Sequence, residues 1–348
     1  MDLARFGLSR RPFRPGPDLA GYVPAPSPEA ALTGLHQAFA GREGMALVDG
    51  APGLGKTLIA LKFLEELDAD VPRLFLPAAR FGRVAEFLQT VLFDLDVPYR
   101  GLTEHELRLA VTDRLLVRMA AGPTVVVLDE AQHLSFDLLE ELRLLGNLES
   151  RTAKALFVVL VAQPGFRDRL AHPDAAGFAQ RLSARLRLDP LTAAESEAYL
   201  VGQLRWAGAR SADVLTPDAR QVLAASCGGV PRVLNQAAAV AFALAGAAGE
   251  KSVDAEAAAD ALGQLGVAVQ EPDDGEPMQD VPAPHPPTAA AAKEAGLDRR
   301  GADAKRTFSA IDDGGRMEAD ADADEPDVVL APDPPKPGRA KPGRRRSA

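Results

Sequence analysis

Eight consecutive residues, Gly50-Ala51-Pro52-Gly53-Leu54-Gly55-Lys56-Thr57, constrain this chain more than any other feature. They match the pattern GxxxxGK[ST], and they follow an apolar run, Met45–Asp49, and precede an amphipathic one, Lys56–Leu67. A strand, a glycine-rich turn and a helix in that order place a ring of backbone N–H groups at a helix N-terminus. That arrangement binds phosphate, because the amides and the helix dipole both favour negative charge. Gly50, Gly53 and Gly55 let the backbone curl without a Cβ in the way. Ala51, Pro52, Leu54 and Leu58 complete the loop and its exit. Lys56 is expected to reach the β- and γ-phosphates of a nucleoside triphosphate, and Thr57 to contribute its hydroxyl to Mg²⁺.

A second element of the same chemistry lies 70 residues on. Thr124-Val125-Val126-Val127-Leu128 reads as a buried strand that delivers Asp129 and Glu130 to the carboxyl edge of a parallel sheet, where α/β proteins bind ligands. Asp129 suits a Mg²⁺ ligand, held through the ion's water shell. Glu130 suits a base that polarises the attacking water. ATP and Mg²⁺ are therefore the expected substrate and cofactor. Gln163 ends a further apolar run, Phe157–Ala162, where its amide would hold that water against the γ-phosphate.

Around these motifs, apolar runs alternate with amphipathic ones, as strands alternate with helices in a parallel sheet covered on both faces. Strands are expected at Met45–Asp49, Arg73–Pro77, Thr124–Asp129, Ala155–Val161 and Arg185–Asp189. Helices are expected at Lys56–Leu67, Val84–Leu95 and Leu138–Glu149, the last with a core-facing stripe of Leu138, Leu142, Leu145 and Leu148. After Pro190 only helices remain: Thr192–Ala207, Pro217–Ala225, Pro231–Ala247 and Asp254–Leu265. Trp206 and Cys227 read as packing residues among them. The expected organisation is an N-terminal segment packed on the core (1–40), an α/β nucleotide-binding domain (41–190), a helical lid domain (191–267) and a tail (268–348).

Composition sharpens the last boundary. From Ala268 onward the chain holds 12 of its 28 prolines, 17 acidic and 12 basic residues, and only eight Leu, Ile, Val or Phe. Too little apolar surface is available there to offset chain entropy, so the tail is expected to be disordered. Its end, Lys336 to Arg346, carries six cations and no acid. It reads as a solubilising terminus, or as a contact for phosphates or for an acidic protein partner. The net charge of −10 does not by itself imply nucleic acid, although in the first 267 residues, with 27 basic and 32 acidic groups, a local basic stripe would suffice. One cysteine excludes an internal disulfide and a Cys-based zinc site, and the five histidines show no metal-ligand spacing. No signal-peptide pattern opens the chain. The longest apolar stretch, Ala237 to Ala248, would be about 18 Å long as a helix, too short to span a membrane. A cytoplasmic protein is the expectation.

The ordered set of motifs resembles the AAA+ family typified by the secretion-pathway ATPases ExeA and GspA, with the transposition ATPases TniB and MuB as more distant relatives. Phe6-Gly7-Leu8 and Pro12-Phe13 carry the resemblance at the start, followed by the two motifs above. It continues through Leu160–Pro164, Gln180-Arg181-Leu182, Pro190-Leu191, Glu195, Tyr199 and Gly229-Val230-Pro231-Arg232, over about three quarters of the chain. The resemblance implies a P-loop AAA+ module with a five-stranded parallel sheet in the order 5-1-4-3-2 and an all-helical lid. It also implies sensing roles for Gln163 and Arg232, and an arginine finger offered to a neighbouring subunit by Arg181 or Arg185, hence a homo-oligomer. Secretion-branch members commonly continue into a membrane span and a peptidoglycan-binding domain, whereas this sequence continues into its Pro/Asp/Ala-rich tail.

Two functions stay open at this stage. One is an ATP-hydrolysing switch or motor. The other is an ATP-dependent scaffold that captures DNA or a recombinase, suggested by the transposition relatives and the Arg-rich ends. The segment around Arg10, Arg11 and Arg14 either wraps the base edge of the nucleotide or binds a partner.

Overall fold

A computed structural model describes residues 3–119, 122–150 and 153–270. The tail expectations, including the basic end, lie outside the described residues beyond position 270. Five parallel strands form one sheet: β1 (Met45–Asp49), β2 (Arg73–Leu76), β3 (Thr124–Leu128), β4 (Leu156–Ala162) and β5 (Ala184–Arg187). Their spatial order is β2-β3-β4-β1-β5, which is the expected 5-1-4-3-2 read from the other edge.

Why both faces are covered is visible along each strand. In β4, Leu156, Val158, Leu160 and Ala162 enter one apolar cluster while Phe157, Val159 and Val161 enter another. β1 and β3 divide the same way, with Leu47, Val126 and Leu128 on the first face and Val48, Val125 and Val127 on the second. A period of two on a strand made wholly of apolar residues requires helices on each side. α1 (Pro26–Ala40) and α2 (Lys56–Glu66) cover the second face, and α3 (Val84–Asp94), α4 (Glu104–Arg118) and α5 (Phe136–Leu145) the first.

α1 and α4 were absent from the sequence reading. The α4 signal is nonetheless present: Thr103 and Glu106 form a capping box, and Leu107, Val111 and Leu115 recur at helical spacing and are buried. α5 starts two residues earlier than expected because Ser135 caps it, and it ends at Leu145, before Gly146. Two short helices, α6 (Phe166–Leu170) and α7 (Ala176–Ala179), lead from β4 to β5.

Four helices follow: α8 (Ala193–Trp206), α9 (Pro217–Ser226), α10 (Pro231–Ala248) and α11 (Ala255–Gln264). Leu200, Leu204, Leu223, Leu234, Phe242 and Leu262 form their shared core. Cys227 is buried there, and burial pushes its thiol pKa up to about 12, so it packs rather than reacts.

The segment expected to pack on the α/β core divides in two. α1 lies against the sheet, but Phe6 packs edge-on and Phe13 at a tilt against Phe242 of α10, and Ser9 and Arg10 donate their backbone N–H groups to the Ala207 carbonyl. The first residues of the chain are thereby part of the helical layer. Among the described residues no helix is long and apolar enough to cross a membrane.

Candidate functional site

The glycine-rich turn leaves β1 at Asp49 and enters α2 at Lys56. Gly53 and Gly55 take positive φ angles of 87° and 92°, a left-handed backbone that strains any residue bearing a Cβ. Gly53 has a second reason to be glycine. A Cβ there would lie 2.9 Å from Val230 and 3.0 Å from Arg232, because the start of α10 closes over the loop. The Arg232 backbone N–H donates to the Gly53 carbonyl at 3.2 Å, so the helical layer touches the phosphate loop directly.

Lys56 is buried, and its Nζ donates to the carbonyls of Gly50 (2.8 Å) and Ala51 (2.9 Å). Burial pushes its pKa down, while the carboxylates of Glu130 and Asp129 oppose that shift. Such an ammonium is held beside the loop with hydrogen bonds that phosphate oxygens can replace.

The two sequence motifs meet at one hydrogen bond. Thr57 Oγ1 donates to Asp129 Oδ2 at 2.7 Å. The other Asp129 oxygen accepts the Glu130 backbone N–H at 2.8 Å. Burial pushes the Asp129 carboxyl pKa up, against these hydrogen bonds. Hydroxyl and carboxylate side by side are the oxygen donors that Mg²⁺ accepts alongside waters and phosphates, and the pair fits that ion.

Glu130 and Gln163 close the far side. Gln163 Nε2 donates to Glu130 Oε2 at 3.3 Å, which brings the ends of β3 and β4 together at the sheet edge. A cavity of about 230 Å³ opens between these residues and the helical layer. Pro52, Gly53, Leu54, Gly55, Lys56, Thr57 and Leu58 form its floor, with Glu130 and Gln163 at one end and Arg232 at another. Gly50, Ala51 and Asp129 lie behind that lining. Residues between Arg14 and Val23 form its outer wall, so of the three arginines singled out in the sequence Arg14 lines the cavity, whereas Arg10 lies over Trp206.

Arg181 and Arg185 are not brought to this pocket. Ser183 donates its N–H to the Met45 carbonyl at the start of β1, which puts Arg181 toward the opposite edge of the sheet from the P-loop, while Arg185 lies beside Leu47 in mid-strand. Arg181 is exposed and lies near Glu149, and Arg185 donates to the Ala179 carbonyl at 3.1 Å.

Several site residues carried no sequence signal. Asp49, only 2% exposed, is clamped by Arg167 through two contacts of 2.6 Å, which ties α6 to the base of the P-loop. Asn235 accepts from Tyr199 (3.0 Å) and donates to the Arg14 carbonyl (3.2 Å), and Gln203 donates to the Gly21 carbonyl at 2.7 Å. These polar groups hold the outer wall to α8 and α10. Nothing short of the fold reveals such pairings, the widest of which join positions 182 and 221 residues apart.

Comparison with known proteins agrees with this geometry. Residues 40–170 match the AAA domain family. The fold is that of an AAA+ module. General secretion pathway protein A of Aeromonas hydrophila is 34% identical over 232 residues, which are 66% of this chain and 42% of that protein. The chain thus spans under half the length of that curated relative. Among solved structures, Cdc6p of Pyrobaculum aerophilum is similar with a TM-score of 0.60 and 19% identity, over 73% of this chain and 70% of that one. The Aeropyrum pernix Orc2 protein gives 0.56 and 17%, over 70% and 68%. At those identities the two structures share the fold.

Proposed function

We propose that the chain is an ATP-hydrolysing molecular switch or motor of the kind the secretion-pathway ATPases represent, working as a homo-oligomer in the cytoplasm. The observation that carries this reading is the Thr57–Asp129 hydrogen bond of 2.7 Å, with Glu130 and Gln163 on the same cavity. It joins a phosphate loop to two carboxylates across one binding space.

In this reading the loop amides and Lys56 grip the phosphates, and Lys56 exchanges the Gly50 and Ala51 carbonyls for phosphate oxygens. Thr57 and Asp129 would hold Mg²⁺, which supplies charge neutralisation on the β- and γ-phosphates when bound. Glu130 takes a proton from water as the water oxygen attacks the γ-phosphorus. The bond to the ADP oxygen breaks, leaving ADP and inorganic phosphate. Gln163 orients the water. Arg232, at the start of α10 and packed on Gly53, transmits loss of the γ-phosphate to the helical layer.

Arg181 does not line its own pocket, and in this reading it is offered to a neighbour's. An arginine finger is worth about 10³–10⁵ in rate. Turnover per subunit is therefore expected to rise with protein concentration, and Arg181→Ala to abolish the rise. A rate independent of concentration and untouched by Arg181→Ala would remove the trans arrangement.

A further inference from the structure

The Glu130 carboxylate is held on two sides. Its Oε2 accepts from the Gln132 side-chain amide and, at 3.3 Å, from the Gln163 side-chain amide. Gln132 Oε1 in turn accepts the Gln163 backbone N–H at 3.2 Å. Glu130, Gln132 and Gln163 therefore form a closed ring of three hydrogen bonds.

The backbone is shaped for it. Glu130 sits in the left-handed region (φ 55°, ψ 38°), which costs a residue with a Cβ roughly 1–2 kcal/mol. That conformation folds the chain back into a short 3₁₀ turn, Ala131–His133, and returns the residue two positions on to the carboxylate. Arg169, on α6, donates to the Gln132 carbonyl and lies over the Phe136 ring, fixing the turn from outside.

We propose that Gln132 is the positioning residue for Glu130. The proposal rests on the reading of Glu130 as the base that activates water. Only a side chain with one donor and one acceptor at amide spacing completes the ring. Methionine supplies neither group. Glutamate would accept from Gln163 but repel Glu130. The arrangement also gives Gln132 work that Gln163 cannot do: when Gln163 turns its amide toward a γ-phosphate, Gln132 alone keeps the carboxylate in place.

The test uses the full chain and two readouts. In protein labelled with ¹⁵N at glutamine, the Gln132 side-chain amide signal is expected to shift in Glu130→Ala. An unmoved signal would overturn the ring, whatever the protein does with ATP. In kinetics, Gln132→Met is expected to lower kcat about 10²-fold through misplacement of the base, with the Kd for ATP unchanged. In a Glu130→Gln background the same substitution should add nothing, because the group it positions is already gone. Wild-type kcat in Gln132→Met, or an equal loss in both backgrounds, would overturn the positioning role. A wild-type protein that shows the ring but hydrolyses no ATP would sink the hydrolysis reading, and the positioning role with it, while the ring stands.

Discussion

The two walls of the nucleotide pocket are built differently. The sheet-edge wall is the end of three adjacent parallel strands, and its polar groups are linked to one another: Lys56 to the loop carbonyls, Thr57 to Asp129, Gln163 to Glu130. The outer wall is a proline-rich segment from Arg14 to Val23, fastened to α8 and α10 by single hydrogen bonds from Asn235 and Gln203. The first wall has the rigidity that chemistry needs. The second is tied both to the helical layer that Arg232 connects to the phosphate loop and, through Tyr22 with Glu29 and Lys62, to α1 and α2. The groups proposed for chemistry and the helical layer proposed to respond to them thus lie on different sides of one cavity.

Substitutions on the two walls should separate accordingly. The largest effect is expected from Glu130→Gln, which keeps the shape of the sheet-edge wall but removes the base. Single-turnover hydrolysis should fall by roughly 10²–10⁴-fold while ATP stays bound. Wild-type turnover would show that this wall is not where water is activated. Next comes Arg167→Ala, which leaves the buried Asp49 carboxylate without its partner at the root of the P-loop. A loss of about 1–3 kcal/mol in denaturant unfolding is expected. No loss would mean that water replaces the guanidinium there.

On the outer wall, Gln203→Ala and Asn235→Ala each remove one hydrogen bond to the N-terminal segment. About 1 kcal/mol of ATP affinity apiece, a several-fold change in Kd, is expected with the single-turnover rate preserved. A fall in rate instead would blur the division between the walls.

The smallest effect concerns pH. Burial raises the Asp129 pKa above its unfolded value of 3.8, so the native state holds a proton that the unfolded chain has lost, and stability falls as pH rises through that interval. Asp129→Asn should stabilise the nucleotide-free protein at pH 7, and the gain should shrink as the pH approaches 4. A gain that is constant with pH would assign it to packing rather than to charge.

The sheet-edge wall was legible in the sequence because its chemistry is local. Eight contiguous residues specify the loop, and an unbroken apolar run before Asp129 and Glu130 specifies the strand that carries them. The sheet order followed from resemblance and agrees with the pairing observed. The outer wall was not legible. Gln203 and Asn235 look like ordinary helix residues until the chain returns to them, and a proline-rich segment carries no periodicity to show which layer it joins. α1 escaped for a related reason, since it begins at Pro26 without a side-chain cap. Gln132 follows the acidic pair by two residues in the sequence, yet its contact to Glu130 depends on the left-handed backbone at position 130, which only the structure shows.

The central claim is that Lys56, held over the loop beside Asp129 and Glu130, grips a triphosphate in this cavity. Equilibrium titration of ATP in the presence of Mg²⁺ against wild type and Lys56→Ala tests it most directly. Saturable binding to the wild type, weakened about 10–100-fold in the variant, is the predicted result, the loss expected for a charge-assisted contact to phosphate. Equal affinity in the two proteins would contradict the account.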